Sequence, residues 1–199
     1  MINFIDLSKD LPHQKFKEFY DLAKKRGQNI IEAISISSFS TKKNEVNARY
    51  VNLKYIKDDE WIFFSSYESP KSIEFKEHDQ ICATFFWDVT NTQIRIKGKI
   101  KKTSQEFSDY HYLNRNIKKN VLAHSSNQSQ VISSYEDVVK KYNRMKANKK
   151  ILKFRPKNWG GFSFIPYYFE FWEGDEHRLN KRECFYLDNK KWKNYFLEP

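Results

Sequence analysis

"RPKNWGGFSFIPYYFEFWEGDEHRLNKR", residues 155–182, is the stretch that decides the fold. Its aromatic side chains come in two runs, "GFSFIP" and "YYFEFWEG", each with the alternation of a strand buried on one face. Trp159 and a Gly-Gly pair precede them, and the charged turn after them carries Arg178 and Arg182 four residues apart. Rings and paired arginines together suit either core strands with charged turns or one wall of a site for a flat, anionic molecule.

Outward from that stretch, the pattern is one of many short strands with helices between them. "LPHQKFKEFYDLAKKRG" reads as an N-terminal helix over about 12–26, with Pro12 in its first turn, Phe16, Phe19, Tyr20 and Ala23 on one face, and Gly27 ending it. Strands are expected at 29–37, 46–56, 61–66, 80–87 and 92–103, with Ser69 and Pro70 opening a short helix between two of them. A helical insertion spans about 104–150, in segments 104–115, 118–126 and 134–150. "RECFYL" and "KWKNYFL", joined by a DNKK turn, close the chain. The expectation is a single domain over residues 1–199, mainly β with helical additions (α+β), built on an antiparallel barrel.

Composition narrows the function. Aromatic residues make up 17% of the 199, so the core is built from large rings, each burying much area. The net charge of +11 points to an anionic partner: a nucleic acid, a membrane surface or a phosphorylated small molecule. The run 140–157 has nine Lys or Arg and no acid, but a solvated helix face with a basic loop accounts for it, and no nucleic-acid motif accompanies it. No membrane-spanning stretch or signal peptide is read, and Cys82 and Cys184 sit singly in apolar contexts, so a cytoplasmic location with reduced thiols is expected. None of the five histidines has metal-ligand spacing, so no metal site is expected. GxGxxG, P-loop, GxSxG and HExxH patterns are all missing, so any bound phosphate must be held by side chains and strand edges.

In order along the chain stand "RYVNLK" (49–54), "FFSSYESPKS" (63–72), "TQIRIKG" (92–98), "NQS" (127–129), and then Arg155, Pro156, Trp159, Gly160, Gly161, Phe162, Glu170, Phe171, Trp172, Gly174, Arg178, Leu179 and Arg182, with Trp192, Leu197 and Pro199 in the tail. This series resembles the pyridoxine (pyridoxamine) 5'-phosphate oxidase family over roughly residues 12–199. The resemblance implies an FMN-binding split β-barrel, and a homodimer with FMN at the subunit interface. The family's reaction passes a hydride from an amine- or alcohol-bearing carbon to the flavin, with O2 as acceptor and H2O2 as product, making pyridoxal 5'-phosphate from pyridoxamine or pyridoxine 5'-phosphate.

Carried over residue by residue, the resemblance assigns FMN binding to Arg49, Tyr50, Val51, Asn52, Leu53, Lys54, Phe64, Ser65, Lys71, Gln93, Gln128, Ser129, Trp159 and Arg182. Substrate binding falls to Lys54, His111, Arg115, Lys119, Arg178 and Asn180, with Arg178 and Asn180 as the catalytic pair. Phe171 and Trp172 are expected to fill the barrel. The sequence departs from the family pattern at several places: Pro70 stands where a phosphate-binding Arg is usual, His111 near a Tyr, and Lys119 for a Ser. Asn180 replaces the His of R-L-H and cannot shuttle a proton near neutral pH. A basic N-terminal extension is also not expected, since the first helix begins near Pro12. These departures keep open a related FMN-dependent oxidase with another substrate, such as an intermediate of specialised metabolism, or a flavin- or B6-phosphate-binding protein without turnover.

Overall fold

The computed structural model describes residues 1–199. In chain order the elements are β1 (Asn3–Ile5), α1 (Leu11–Lys25), β2 (Ala33–Ser40), β3 (Glu45–Asn52), β4 (Tyr55–Lys57), β5 (Glu60–Ser66), α2 (Pro70–Glu77), β6 (Gln80–Trp87) and β7 (Thr92–Lys102). Three helices follow, α3 (Gln105–Asn114), α4 (Ile117–Ser125) and α5 (Tyr135–Ala147), and then β8 (Trp159–Glu173), β9 (Lys181–Asp188) and β10 (Lys191–Leu197). Along the sheet the order is β1-β4-β5-β8-β7-β6-β2-β3, with β9 also on β8 and β10 on β9. Every pairing is antiparallel except β1 with β4, so the fold is α+β with a mixed sheet.

β8 organises the barrel. The two aromatic runs are not two strands but one of 15 residues, a correction that follows from a bulge. Opposite Lys97 and Gly98 the register skips Tyr167, which bends β8 at Pro166, where a proline within a sheet is tolerated. Before the bend β8 pairs with β5, and after it with β9, while β7 runs along its other edge throughout. The Gly-Gly pair permits the entry: a Cβ on Gly160 would strike the Tyr67 hydroxyl, and one on Gly161 the Thr103 side chain.

The predicted strand 46–56 is likewise two. Up to Asn52 the chain pairs with β2, but at Leu53 and Lys54 it crosses to the other side of the barrel. There the Leu53 amide donates to Glu32 O (2.9 Å) and the Lys54 amide to Ile62 O (2.8 Å). Leu53 is fully buried by this crossing. β2 starts at Ala33 rather than 29, because residues 29–32 form a turn with Ile30 at φ 48°.

The core is a cluster of 24 buried residues in which rings predominate. α1 plugs the barrel: Phe16 packs 4.4 Å from Trp61 and 5.4 Å from Phe85 between ring centroids, with Tyr20 and Ala23 beside it. His13 is buried on the same face, ringed by Trp61, Phe169 and Trp192, and neither ring nitrogen has a hydrogen-bond partner. Phe171 joins this core, whereas Trp172 points to the opposite face of the sheet and is half-buried.

α3, α4 and α5 start at Ser104, Asn116 and Ser134, each side chain accepting an N–H of its helix's first turn. α5 has no buried residue, and the run 140–157 is exposed apart from Leu152 and the partly covered Tyr142, Met145, Arg155 and Pro156. Cys184 is buried, Cys82 is partly exposed, and both are free. No helix is long and apolar enough to cross a membrane.

Candidate cofactor and substrate site

A cavity of about 970 Å³ opens where β3, the ends of β5 and β8, the start of α2 and the α3–α4 region converge. Its lining includes five cations, Arg49, Lys54, Lys71, Arg115 and Lys119, and no carboxylate. Such a site selects anions.

At one end Arg49 and Lys71 lie together. Arg49 donates to Glu74 Oε2 (2.9 Å) and to Ser38 Oγ, which also bonds Glu74. Lys71 sits at the first turn of α2, only 6% exposed, and its single hydrogen bond is to Ser69 Oγ (3.1 Å). Burial, and next the nearby Arg49 charge, pull its pKa down to about 8. Ser69 stands at the N-cap position, but its hydroxyl is turned to Ser66 O (2.9 Å) instead of capping the helix. Across the cavity Gln128 Oε1 accepts from Ser65 Oγ and from the Ser66 amide, both at 3.1 Å, and its amide group makes no further bond within the chain. A buried ammonium short of partners, an arginine and free amide and hydroxyl groups fit a phosphate dianion.

The middle is walled by flat groups. The Phe64 ring stacks on His111 (3.7 Å between centroids, 10° between planes) and lies 5.5 Å from Trp159 at 15°. Arg115 covers Trp159, its guanidinium carbon 3.8 Å from the ring centroid. His111 Nδ1 bonds the Tyr55 hydroxyl (3.0 Å). Burial first, then the charges of Arg115, Lys54 and Lys119, lower the His111 pKa to about 3, so its imidazole is a neutral plate and not a phosphate-binding cation.

The far end holds Lys54, Arg115 and Lys119. Lys54 is paired with Glu32 (3.3 Å). Arg115 is fixed by Asn120 Oδ1 (2.5 Å) and Lys119 O (2.9 Å), and burial lowers its pKa to about 10, which leaves it charged at neutral pH.

The cavity therefore gathers eleven of the fourteen residues assigned to FMN, all but Leu53, Gln93 and Arg182, and four of the six assigned to substrate, all but Arg178 and Asn180. Leu53 is a core residue, as the crossing of the chain requires. The others lie on the outer face of the barrel. Phe86, Gln93, Trp172 and Arg182 form one row across β6, β7, β8 and β9. Arg178 is exposed in the β8–β9 turn at φ 65°. The Asn180 side-chain Oδ1 accepts from the Asp175 backbone amide (3.1 Å) and so ties that turn. Beside the row, Glu170 binds Arg182 through Oε1 (3.0 Å from Nε, 2.9 Å from Nη2) and Arg95 through Oε2.

Six lining residues have no role assigned from the sequence: Ser66, Asn116, Leu122, Ala123, Ser126 and Asn158. Four of them follow from helix geometry. Starting at Lys119, residues 122, 123 and 126 share one face of α4, and Asn116 is the cap of the same helix. Pro70 lines the cavity next to Lys71, where an arginine would have added a sixth cation.

With this geometry established, comparison with known proteins is decisive. Residues 25–162 match the family model described as pyridoxamine 5'-phosphate oxidase. Residues 159–199 match the one described as the pyridoxine 5'-phosphate oxidase C-terminal dimerisation region. The chain belongs to the pyridoxamine 5'-phosphate oxidase family. It is similar to the pyridoxine/pyridoxamine 5'-phosphate oxidase of Coxiella burnetii, with 32% identity over 98% of both chains. That of Colwellia psychrerythraea is 36% identical over 96% of this chain and 88% of the relative. Among solved structures, PhzG from Burkholderia lata, in complex with tetrahydrophenazine-1-carboxylic acid, superposes with a TM-score of 0.88 at 22% identity, covering 94% of this chain and 92% of that one. A pyridoxamine 5'-phosphate oxidase-related, FMN-binding protein from Nostoc punctiforme gives 0.78 at 8% identity over 96% and 99%. Both share the fold, the FMN-binding split barrel. β8, β9 and β10, with Trp172 and Arg182 of the outer row, fall within the residues matched to the family's dimerisation region.

Proposed function

We propose that this chain is an FMN-dependent oxidase that converts pyridoxamine or pyridoxine 5'-phosphate to pyridoxal 5'-phosphate, with O2 as acceptor and H2O2 as product. The observation that carries the reading is one acid-free cavity with two cation groups, Arg49 beside Lys71 and Lys54, Arg115 and Lys119 around His111, and flat side chains in its wall. One cation group suits the cofactor phosphate and the other the phosphate of a small substrate. FMN, when bound, supplies the redox chemistry, accepting a hydride from the substrate carbon and passing the electrons to oxygen.

The chain's own residues bind and orient. Arg49, Lys71, Ser65 and Gln128 hold the FMN phosphate; Trp159 and Phe64 wall the ring system. Lys54, Arg115 and Lys119 fix the substrate phosphate, so that the donor carbon is held in one place. Gln93, Arg178 and Arg182 reach the cavity of a second copy, in a homodimer with FMN at the subunit interface. The outer face supports this assembly: Val46, Tyr50 and Phe86 are exposed on it at 71%, 75% and 57%, and Tyr50 also borders the cavity.

A second reading, an FMN-dependent oxidase of the same family with another substrate, is favoured by one observation: Asn180, in the place of a proton-carrying histidine, is spent on the Asp175 amide. Adding pyridoxamine 5'-phosphate to the purified, flavin-loaded protein in air separates the two. Peroxide release matched by pyridoxal 5'-phosphate supports the first reading. A flavin that neither B6 phosphate bleaches when air is excluded refutes it and leaves the second. Asn180→His is expected to raise turnover of the B6 phosphates without changing flavin content, and unchanged turnover would remove Asn180 as the limiting position.

A further inference from the structure

We propose that Glu170 is the positioning residue of the flavin site, holding Arg182 in the one orientation that lets it serve the cavity of the partner subunit; this rests on the dimeric reading above. Glu170 sits on the outer face of β8, yet its side chain is only 7% exposed. A carboxylate so covered is retained only when its oxygens are satisfied. Here both are. Oε1 takes two N–H bonds from Arg182, and Oε2 takes Arg95 and the Tyr168 hydroxyl (3.0 Å). Burial works against ionisation, but the bonds from Arg182, Arg95 and Tyr168 outweigh it and hold the carboxyl below its usual range.

The valence of Arg182 shows what this does. A guanidinium has five N–H donors. Nε and one N–H of Nη2 go to Glu170, and one N–H of Nη1 goes to Glu198 O (2.9 Å). The two N–H groups left are one each on Nη1 and Nη2, donors on the side of the guanidinium away from Glu170. Glu170 thus locks the rotation of the fork and leaves its outer edge free. It also neutralises one of two arginines that would otherwise repel across β7, β8 and β9. Without it, Arg182 keeps its charge and loses its aim.

The test uses three variants of the flavin-loaded dimer: Glu170→Gln, Arg182→Ala and the double variant. FMN release on serial dilution is followed by the rise in flavin fluorescence, alongside molar mass from light scattering and the thermal midpoint. Arg182→Ala is expected to weaken FMN binding about tenfold or more, and Glu170→Gln by several-fold, roughly what a charge-assisted contact is worth. The double variant is expected to bind FMN no more weakly than Arg182→Ala alone, because Glu170 acts through Arg182. Additive losses in the double variant overturn the proposal, as does a Glu170→Gln protein that is less stable to heat but binds FMN as tightly as the parent. If Arg182→Ala leaves FMN affinity unchanged, the interface reading falls and this inference with it. If Arg182→Ala weakens binding and Glu170→Gln does not, only this inference fails. Should Glu170→Gln not yield folded dimer, Glu170→Asp, which keeps the charge at shorter reach, replaces it in the same cycle.

Discussion

If Lys71 holds the FMN phosphate, as proposed, FMN affinity depends on pH in a way that can be calculated beforehand. Its ammonium is buried beside Arg49 with one hydroxyl partner, and its pKa is about 8 in the chain alone. A phosphate dianion placed against it supplies the missing countercharge and returns the pKa to the ordinary lysine range near 10.4 or above. Binding therefore favours the protonated form. Near pH 7, where the phosphate is still largely a dianion, the ammonium is present before and after binding and Lys71 adds no pH dependence. Above about pH 8 the free site has lost its proton and must regain it on binding, so affinity falls up to tenfold per pH unit. At about pH 9.5 the loss relative to pH 7 is about thirtyfold, or about 2 kcal/mol. FMN titrated into apoprotein across that range, followed by flavin fluorescence quenching, measures it. Titration calorimetry in buffers of different ionisation enthalpy should show uptake of up to one proton at the upper end. Lys71→Met is expected to bind more weakly at pH 7, by about 2 kcal/mol for a lost charge-assisted contact, and to lack this slope. A parent protein whose affinity is flat over the range, or a Lys71→Met variant with the same slope, would refute the assignment of Lys71 to the cofactor phosphate.

Two further perturbations test other parts of the molecule. His13, buried without partners, has its pKa lowered to about 4 by burial, against the smaller opposing pull of Asp10 and Asp58. The unfolded chain thus takes up this proton first, and stability is full above about pH 6.5 and declines as pH falls toward 4, by about 3 kcal/mol in all; denaturant melts at several pH values should show this, and His13→Leu should remove it. Arg115→Ala strips the cation from Trp159 and from the far end of the cavity, so the KM for a phosphorylated substrate should rise about tenfold or more while FMN stays bound; loss of FMN instead would place Arg115 at the cofactor end.

How much of this was legible in the sequence depends on which physical relation each feature rests on. The apolar face of α1, the strand alternation and the cation-rich segments are local, and they were read with boundaries shifted by a few residues. The bend in β8 was read as a break, because "IPYY" offers a proline at mid-strand and no local sign that a bulge opposite Gly98 accommodates it. Leu53 enters the FMN set with its neighbours in "RYVNLK" through the family resemblance, which says nothing of where its side chain lies. The chain leaves β2 for β5 at that residue, and only the tertiary partner of each amide reveals this. The lining residues of α4, a helix expected at 118–126, follow by spacing from Lys119, since residues three and four apart on a helix share a face.

The most instructive gap is the division of the site itself. A linear signature runs Arg49, Lys71, Gln93, Trp159 and Arg182 as one series, but it carries no label for the copy of the chain that each residue serves. Under the proposed homodimer, the topology supplies that label. β3, β5 and α2 put Arg49, Phe64 and Lys71 around a cavity, whereas the pleat of β7, β8 and β9 turns Gln93, Trp172 and Arg182 to the opposite side of the same sheet. A side chain on the outer face of a barrel cannot reach a cavity on the far flank of its own subunit without unpairing its strand, at the cost of several ladder hydrogen bonds. If both sets serve one FMN, as proposed, a second copy must bring its outer face to the first copy's cavity. The distance between them within one subunit is therefore an argument for assembly: a monomer would have FMN phosphate contacts but no arginine from β9, and diluting the dimer should release flavin in step with dissociation. Flavin that stays on the monomer as tightly as on the dimer would show that β9 contributes nothing to the site.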